Sequence, residues 1–247
     1  MEVHHHAHTP RKKWTHYFWE FLMLFLAVFC GFLAEYKLEQ TIEQHREKDY
    51  MISMVRDLRA DIRGIDAAIK LKLMKIGLAD SLLTLFEKKD FKNTSGSIYN
   101  IGGELSLRSY FNPNDGTVQQ LKNAGGLRLI KKVNVVDSIE HYCNLIRDLQ
   151  RLQDLEESQV AEYHSETSKI FSALVFNKML GSKQTMQINK LNTNPKLISE
   201  DNQSINDFNM KIVITKGNRL SQTEALNELK QSAETLIDLI KKEYHLQ

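Results

Sequence analysis

Four histidines near the start of the chain form its densest group of potential metal ligands. They are His4, His5, His6 and His8, in the stretch HHHAH. Neutral imidazole rings bind divalent transition metals such as zinc. Clustered histidines without cysteine or carboxylate neighbours are compositional evidence only, and a purification tag or a merely hydrophilic tail gives the same pattern. The run is interrupted and continues directly into TPRKKW, so we take it as native sequence and keep the metal-site and hydrophilic-tail interpretations open.

Glu20 is a second candidate, because it lies in a strongly apolar stretch. An ionisable group inside a membrane segment is a functional candidate, since burying its charge is costly unless the group is neutral or paired. Its position near the end of the stretch leaves two interpretations open: a proton-pathway or partner-helix role, and simple placement at the membrane interface. Ala27 and Gly31 form a small-xxx-small pair, a pattern found at helix–helix contacts in membranes.

Recognisable catalytic motifs are missing from the sequence. It contains no His-Glu-x-x-His, no cysteine pair at zinc spacing, no Gly-x-Ser-x-Gly and no dinucleotide fingerprint. The pair Gly125-Gly126 does not continue into Gly-Lys-Ser/Thr, so helix termination explains it better than phosphate binding. With 33 Lys and Arg against 31 Asp and Glu, the net charge is +2, which gives no field that recruits nucleic acid. We expect a non-enzymatic protein without a cofactor and without a nucleic-acid partner.

The stretch around Glu20 has the length of a membrane span. No charged residue occurs from Phe21 to Ala34, and residues 17–36 supply the roughly 20 residues that a helix needs to cross a bilayer. Aromatic residues lie at both edges, as at membrane–water interfaces. A buried soluble helix and a cleavable signal peptide are the alternatives. Because the stretch continues without turn residues into a long charged helix, we favour an uncleaved signal anchor.

Basic residues predict the orientation of this span. Arg11, Lys12 and Lys13 are contiguous and precede it directly, whereas the basic residues that follow are spread along the chain. Such a cluster is retained on the cytoplasmic side. We therefore expect a cytoplasmic tail (residues 1–16), a transmembrane helix (residues 17–36) and a helical domain outside the cytoplasm (residues 37–247). In a bacterium this is an inner-membrane protein with a periplasmic domain.

Apolar residues recur every three or four positions from Met51 to Phe86, and Lys72 interrupts this stripe once. The spacing predicts a helix. No proline occurs between Phe18 and Lys89, so we expect one long helix, or two nearly collinear ones with weak points at Gly64 and Gly77.

The rest of the domain also has helical periodicity. The composition of KKDFKNTSGSIYNIGGE, residues 88–104, predicts a loop that ends near Asn100. The stretch GTVQQLKNAGGLRLI predicts a short helix capped by Thr117 and ended by Gly125. A long periodic stretch covers residues 134–180, and its polar middle, DLQRLQDLEESQ, is expected at a bend or at one end of a bundle. Cys143 is expected to be a packed small hydrophobe.

The last part of the chain predicts two elements. Residues 205–216 form a short helix or a strand closed by Gly217, and a final helix opens at Ser221 with Glu224 completing a capping box. Without strand alternation, the predicted fold is all-α: a single N-terminal transmembrane helix continuing into an elongated antiparallel helical bundle.

Two blocks, HHHAHTPRKKWTHYFWEFLMLFLAVFCGFLAEYKLE and GTVQQLKNAGGLRLI, resemble a widespread bacterial family of uncharacterised single-pass membrane proteins. The resemblance covers the N-terminal third well and the rest loosely. The middle motif of that family corresponds here to Leu121, Lys122, Asn123, Ala124, Gly125, Leu127 and Ile130. The resemblance implies a helical cell-envelope protein and brings no activity.

The sequence is compatible with three functions. The first is a membrane-anchored scaffold that associates with the lipid bilayer and with further copies of itself or another membrane protein. The second is a ligand-sensing module, since helical bundles bind small molecules between their helices. An envelope hydrolase comes third, because no pair of catalytic carboxylates stands out among many surface acids.

Overall fold

The computed structural model describes residues 14–123, 125–180 and 188–246. The helices are α1 (Trp14–Lys88), α2 (Phe91–Ser106), α3 (Gly116–Asn123), α4 (Val133–Ile170), α5 (Ala173–Met179) and α6 (Asn202–Tyr244), with a 3₁₀ turn at Gly126–Leu129. Across the described ranges no strand forms, and one isolated bridge joins Leu180 to Ile188. The predicted all-α fold is confirmed.

The chain divides into two compact units, the first ending at Tyr50 and the second beginning at Met51. In the first unit, the start of α1 is long and apolar enough to cross a membrane, by length and composition. None of its most apolar window is buried within the protein, and it is the one such helix among the described residues. The structure thus contains one candidate membrane-spanning helix, near the N-terminus.

In the second unit, α1 continues without a break at Gly64 or Gly77. Its apolar stripe is buried, as its spacing predicted, and includes Met51, Leu58, Ile65, Leu82 and Phe86. The helix ends at Lys88 because Lys89 adopts a left-handed conformation (φ 53°). The prediction of one long helix over this stretch is confirmed.

Ion pairs define the relative directions of the three long helices within the second unit. Asp66 and Asp80 of α1 pair with Lys230 and Lys216 of α6, so residue numbers rise on one helix as they fall on the other. In the same way, Glu156 and Glu162 of α4 pair with Arg219 and Lys211 of α6. Helix α6 is therefore antiparallel to both α1 and α4.

Aromatic rings form the centre of one core cluster. Tyr163 lies 4.9 Å from Phe208, and Phe171 lies 5.0 Å from Tyr99 and 5.4 Å from Phe208, measured between ring centroids. The buried hydroxyl of Tyr163 donates to the Gly102 carbonyl at 2.8 Å. These contacts hold α2 against α4 and α6.

The predicted loop at residues 88–104 is wrong, because α2 occupies Phe91–Ser106. Its small residues permit close packing rather than solvent exposure. A Cβ atom at Gly102 would lie 2.8 Å from the Phe171 ring, and one at Gly96 would overlap the backbone oxygen of Thr193.

Two further boundaries differ from the sequence prediction. Helix α4 runs through its polar middle, where Gln153 and Glu156 are buried rather than placed at a bend. Helix α6 continues through Gly217 and Ser221, which were expected to end one element and begin the next. Its N-cap is Asp201, whose carboxylate accepts hydrogen bonds from the amides of Gln203 and Ser204.

The short helix predicted in GTVQQLKNAGGLRLI, which we call the motif helix, is confirmed with one change. Helix α3 begins at Gly116, so Thr117 lies inside it, and the Thr117 hydroxyl donates to Asp57 of α1 instead of capping its own helix. Val118 and Leu121 are buried as expected, and Gly125 has the expected left-handed conformation, with φ 64°. Cys143 is buried, as predicted.

Candidate ligand-binding site

A pocket of about 410 Å³ lies between α1, α3 and α4. Helix α1 contributes Asp57 and Asp61, which are four residues apart and therefore share a face. Helix α4 contributes Cys143 and Arg147 with the same spacing, and Lys122 comes from α3. We call this cavity the α1/α3/α4 pocket.

Asp61 anchors the segment that leads into α3. Its side chain is buried, and one carboxylate oxygen accepts hydrogen bonds from the backbone and side-chain nitrogens of Asn114, at 2.7 and 2.8 Å. The other oxygen accepts from the Tyr142 hydroxyl at 2.7 Å. Three donors offset the loss of hydration of the carboxylate. Burial, the charge of Asp61 and this hydrogen bond raise the pKa of Tyr142, so the phenol stays a donor.

Asp57 holds the start of α3. One of its carboxylate oxygens accepts hydrogen bonds from the Thr117 amide, at 3.3 Å, and from the Thr117 hydroxyl. A carboxylate at this position also interacts favourably with the positive end of the helix dipole. The two aspartates of α1 therefore fix the segment that leads into α3, and residues 112–115 of that segment form one wall of the pocket.

Two cations, Lys122 of α3 and Arg147 of α4, line the same pocket as Cys143. Burial raises the pKa of the Cys143 thiol, and the positive charges of Lys122 and Arg147 oppose that rise. In the part of the chain that the structure describes, no ion pair joins Lys122 or Arg147 to a carboxylate. Arg147 donates a hydrogen bond to the side-chain oxygen of Asn144, and both cations line the pocket, where an anionic group of a ligand could reach them.

The floor of the pocket is apolar. Met54 and Leu58 of α1 are 1% exposed, and Val118 of α3 packs beside them. An apolar floor with a few converging polar groups is the usual composition of a small-molecule site.

A separate cluster of charged side chains lies in the core between α1, α4 and α6. Glu156 accepts hydrogen bonds from Arg219 Nε at 2.8 Å, from Gln222 Nε2 at 2.9 Å and from Lys72 Nζ. Burial by itself would raise the pKa of Glu156, but the charges and hydrogen bonds of Lys72 and Arg219 hold it below its usual value. We call Lys72, Lys75, Glu156, Arg219 and Gln222 the buried charge cluster.

The end of α2 explains why this cluster contains three cations and one carboxylate. Arg219 donates to the Leu105 carbonyl at 3.2 Å, Lys75 to Leu107 and Lys72 to Ser109 at 3.1 Å. Leu105 lies in the last turn of α2, where carbonyls lack intrahelical donors and carry the negative end of the helix dipole. Leu107 and Ser109 follow the end of the helix at Ser106. Lys72, Glu156 and Arg219 are at most 2% exposed, so the cluster is part of the core rather than a binding site.

The residues singled out from the sequence are distributed differently. His4, His5, His6 and His8 lie outside the described residues. Glu20 lies 2.9 Å from His16 Nε2, one turn earlier on α1, a partner that the sequence analysis missed. Ala27 and Gly31 are exposed on the same helix. Within the described ranges, no group of three or more His, Cys, Asp or Glu side chains is arranged to hold a metal ion.

Sequence reasoning missed both the pocket and the buried charge cluster. The one available signal for the cluster was Lys72, which interrupts an otherwise apolar stripe. For the pocket, the available sequence signal was the motif helix, because its Lys122 lines the cavity.

No protein-family model, no curated protein and no solved structure matches the chain. The resemblance to a bacterial membrane-protein family stays a prediction.

Proposed function

We propose that the chain is a non-enzymatic, membrane-anchored helical protein of the bacterial cell envelope that binds a small polar molecule in the α1/α3/α4 pocket. The supporting observation is the convergence of charged side chains from three helices around a cavity of about 410 Å³. Small-molecule sites typically have volumes of roughly 300–1,000 Å³. Ligand sensing ranked second on sequence alone, and this pocket favours it over the scaffold.

The proposed placement follows from the charges beside the candidate span. Arg11, Lys12 and Lys13 favour a cytoplasmic N-terminus in the inner membrane, with the domain in the periplasm. Only a short tail would then face the cytoplasm. A binding signal would pass to a separate membrane partner.

The test uses the full chain in detergent and a library of small metabolites. Unfolding is followed by circular dichroism at the helix signal, because both tryptophans, Trp14 and Trp19, lie at the leading edge of the candidate span and report poorly on the domain. A ligand that binds only the folded protein raises the Tm. We expect at least one metabolite to do so.

Two variants connect such a shift to the pocket. Gln150 lines the pocket and is exposed, so Gln150→Trp fills the opening and is expected to abolish the shift. Asp154, one turn further along α4, is exposed and does not line it, so Asp154→Trp is expected to retain the shift. A library without effect on the wild type, or equal shifts in both variants, contradicts the proposal.

A specific surface favours the scaffold as a second function. Met210, Val213, Ile214 and Leu220 of α6 are 41–49% exposed, and the open Gly217 lies among them. Their spacing places them on one outer face, opposite the buried Ile212, Thr215 and Arg219. Exposed apolar surface of this kind marks interaction sites. The partner would be a second copy of the chain or another membrane protein.

Affinity purification from detergent extracts tests the scaffold. The wild-type chain is expected to elute as an oligomer or with a second protein, and Val213→Glu to elute alone. Asn206→Glu, at an exposed polar position of the same helix, is the control and is expected to behave as the wild type. A wild-type chain that elutes alone as a monomer removes this candidate.

A further inference from the structure

We propose that the ligand of the α1/α3/α4 pocket is a small zwitterion of the amino-acid class, carrying an ammonium group and a carboxylate. This inference rests on the proposed ligand-binding function. It names the chemistry that the two charged sides of the pocket would recognise together.

The carboxylate of the ligand would bind beside Cys143. Lys122 of α3 and Arg147 of α4 both line the cavity together with Cys143, so two cations from two helices face the same space. Neither cation has a carboxylate partner within the described residues. Charge-assisted hydrogen bonds from lysine and arginine are the strongest that a protein offers to a carboxylate.

The ammonium group of the ligand would bind on the side of Asp57 and Asp115. Asp115 is exposed and accepts one hydrogen bond, from Gln119 Nε2 at 3.1 Å. Asp57 accepts from neutral donors of Thr117, and its cationic neighbour Arg56 is 77% exposed and 3.7 Å away. Both carboxylates line the cavity, where they can accept hydrogen bonds from an ammonium group.

The combined charges disfavour simpler ligands. The lining carries three carboxylates, Asp57, Asp61 and Asp115, and two cations, Lys122 and Arg147. An anion without a positive group would be repelled by the carboxylates when it reaches the cations. A cation without a negative group would be repelled by the two cations when it reaches the carboxylates. A zwitterion satisfies both sides. The apolar floor of Met54, Leu58 and Val118 then suits an uncharged side chain.

Isothermal titration calorimetry of the full chain in detergent tests this assignment. The twenty common L-amino acids are the first probes, and the N-acetyl and C-amide forms of the tightest binder follow. We expect binding of at least one free amino acid, and a Kd at least about tenfold higher for each capped form, since each lacks one charge.

Two arginine variants of α4 provide the matched comparison. Arg147→Gln is expected to raise the Kd about tenfold or more. Arg151→Gln removes an exposed arginine that pairs with Asp148 and does not line the pocket, and it is expected to leave the Kd unchanged. Circular dichroism verifies that both variants fold.

The outcomes separate this inference from the function on which it rests. If inorganic phosphate, citrate or spermidine binds in the pocket while every amino acid fails, the zwitterion is wrong and the ligand-binding function stands. Equal affinity for free and capped amino acids, or for the Arg147→Gln variant, also overturns the zwitterion. If the amino acids and the metabolite library both fail, the inference and the function fall together.

Discussion

Arg219 on α6 donates from Nε to Oε1 of Glu156 on α4 at 2.8 Å, and neither side chain is more than 2% exposed. Because Lys72 of α1 binds the other carboxylate oxygen, this one acid connects all three long helices of the second unit. Buried ion pairs gain little net stability over apolar residues, but removing one partner is costly because the remaining charge stays buried.

Glu156→Gln tests this relationship. The amide keeps the shape of the side chain but leaves Lys72, Lys75 and Arg219 without a buried counter-charge. We expect the free energy of unfolding to fall by about 3–5 kcal/mol, measured by urea denaturation of the full chain in detergent. The control is Glu157→Gln, since Glu157 is 60% exposed and pairs with Arg108, and it should change stability by less than about 1 kcal/mol. Equal losses in the two variants would contradict a role for the cluster.

Lys75 gives the cluster a pH dependence. Burial, followed by the positive charge of Arg219, lowers the pKa of Lys75 from 10.5 to about 8. Between these two values the unfolded chain keeps the proton that the folded chain has lost, so the contribution of Lys75 to stability rises with pH. Below about pH 8 the full penalty for burying the charge is present.

We therefore expect the wild type to gain about 1–2 kcal/mol relative to Lys75→Met between about pH 8 and pH 9.5. Denaturation at several pH values measures this difference, in which the other titrating groups largely cancel. Lys70→Met, at an exposed position of the same helix, is the control and should run parallel to the wild type. A Lys75→Met curve that is also parallel would show that Lys75 does not titrate in this range.

The sequence predicted α1 because its core stripe is local. Apolar residues three and four positions apart define one face of a helix without knowledge of any partner. The role of Lys72 could not be predicted in this way, because its carboxylate partner Glu156 is 84 residues away. The sequence pattern therefore shows Lys72 only as an interruption of the stripe, although in the core its side chain pairs with the carboxylate of Glu156.

The errors in α2 and α6 have a common cause. Gly217 and Ser221 resemble a helix stop and a helix start, yet the buried Thr215, Arg219 and Gln222 on either side share one face against the bundle. Tertiary packing outweighed these local signals, which are worth roughly 1 kcal/mol each. In α2, glycines and small polar residues suggested a loop, although they permit close contact with residues distant in sequence.

Glycine substitutions test that interpretation of α2. Gly96→Ala would place a Cβ against the backbone oxygen of Thr193, so that segment must move. We expect a loss of about 1–3 kcal/mol, measured by thermal unfolding. Gly77→Ala is the matched control, because nothing lies within 4 Å of its Cβ position on α1. It should gain about 0.5–1 kcal/mol from helix propensity, and a neutral Gly96→Ala would contradict the packing described.

The wall of the pocket depends on Tyr142. Tyr142→Phe removes one of the three donors to the buried carboxylate of Asp61, and we expect a loss of about 1–3 kcal/mol. Urea denaturation measures this, with Tyr110→Phe as control because Tyr110 is 44% exposed. If both variants keep wild-type stability, the Asp61–Tyr142 hydrogen bond does not support the pocket.

The pocket itself combines a predicted part with an unpredicted one. The motif helix α3 could be derived from its apolar residues, and Gly125 marked its end correctly, whereas its predicted cap, Thr117, lies inside the helix. Its position could not be derived, because Asp61 and Tyr142 are 81 residues apart in sequence and meet only in the fold.

We propose above all that one membrane helix carries a ligand-binding domain outside the cytoplasm. It is tested most directly by fusing reporter enzymes after Gln247 in two parallel chains, one active only outside the cytoplasm and one active only inside. We expect activity from the outside reporter alone. Activity from the cytoplasmic reporter alone would contradict the claim, place the domain in the cytosol and expose His4, His5, His6 and His8 on the outer side.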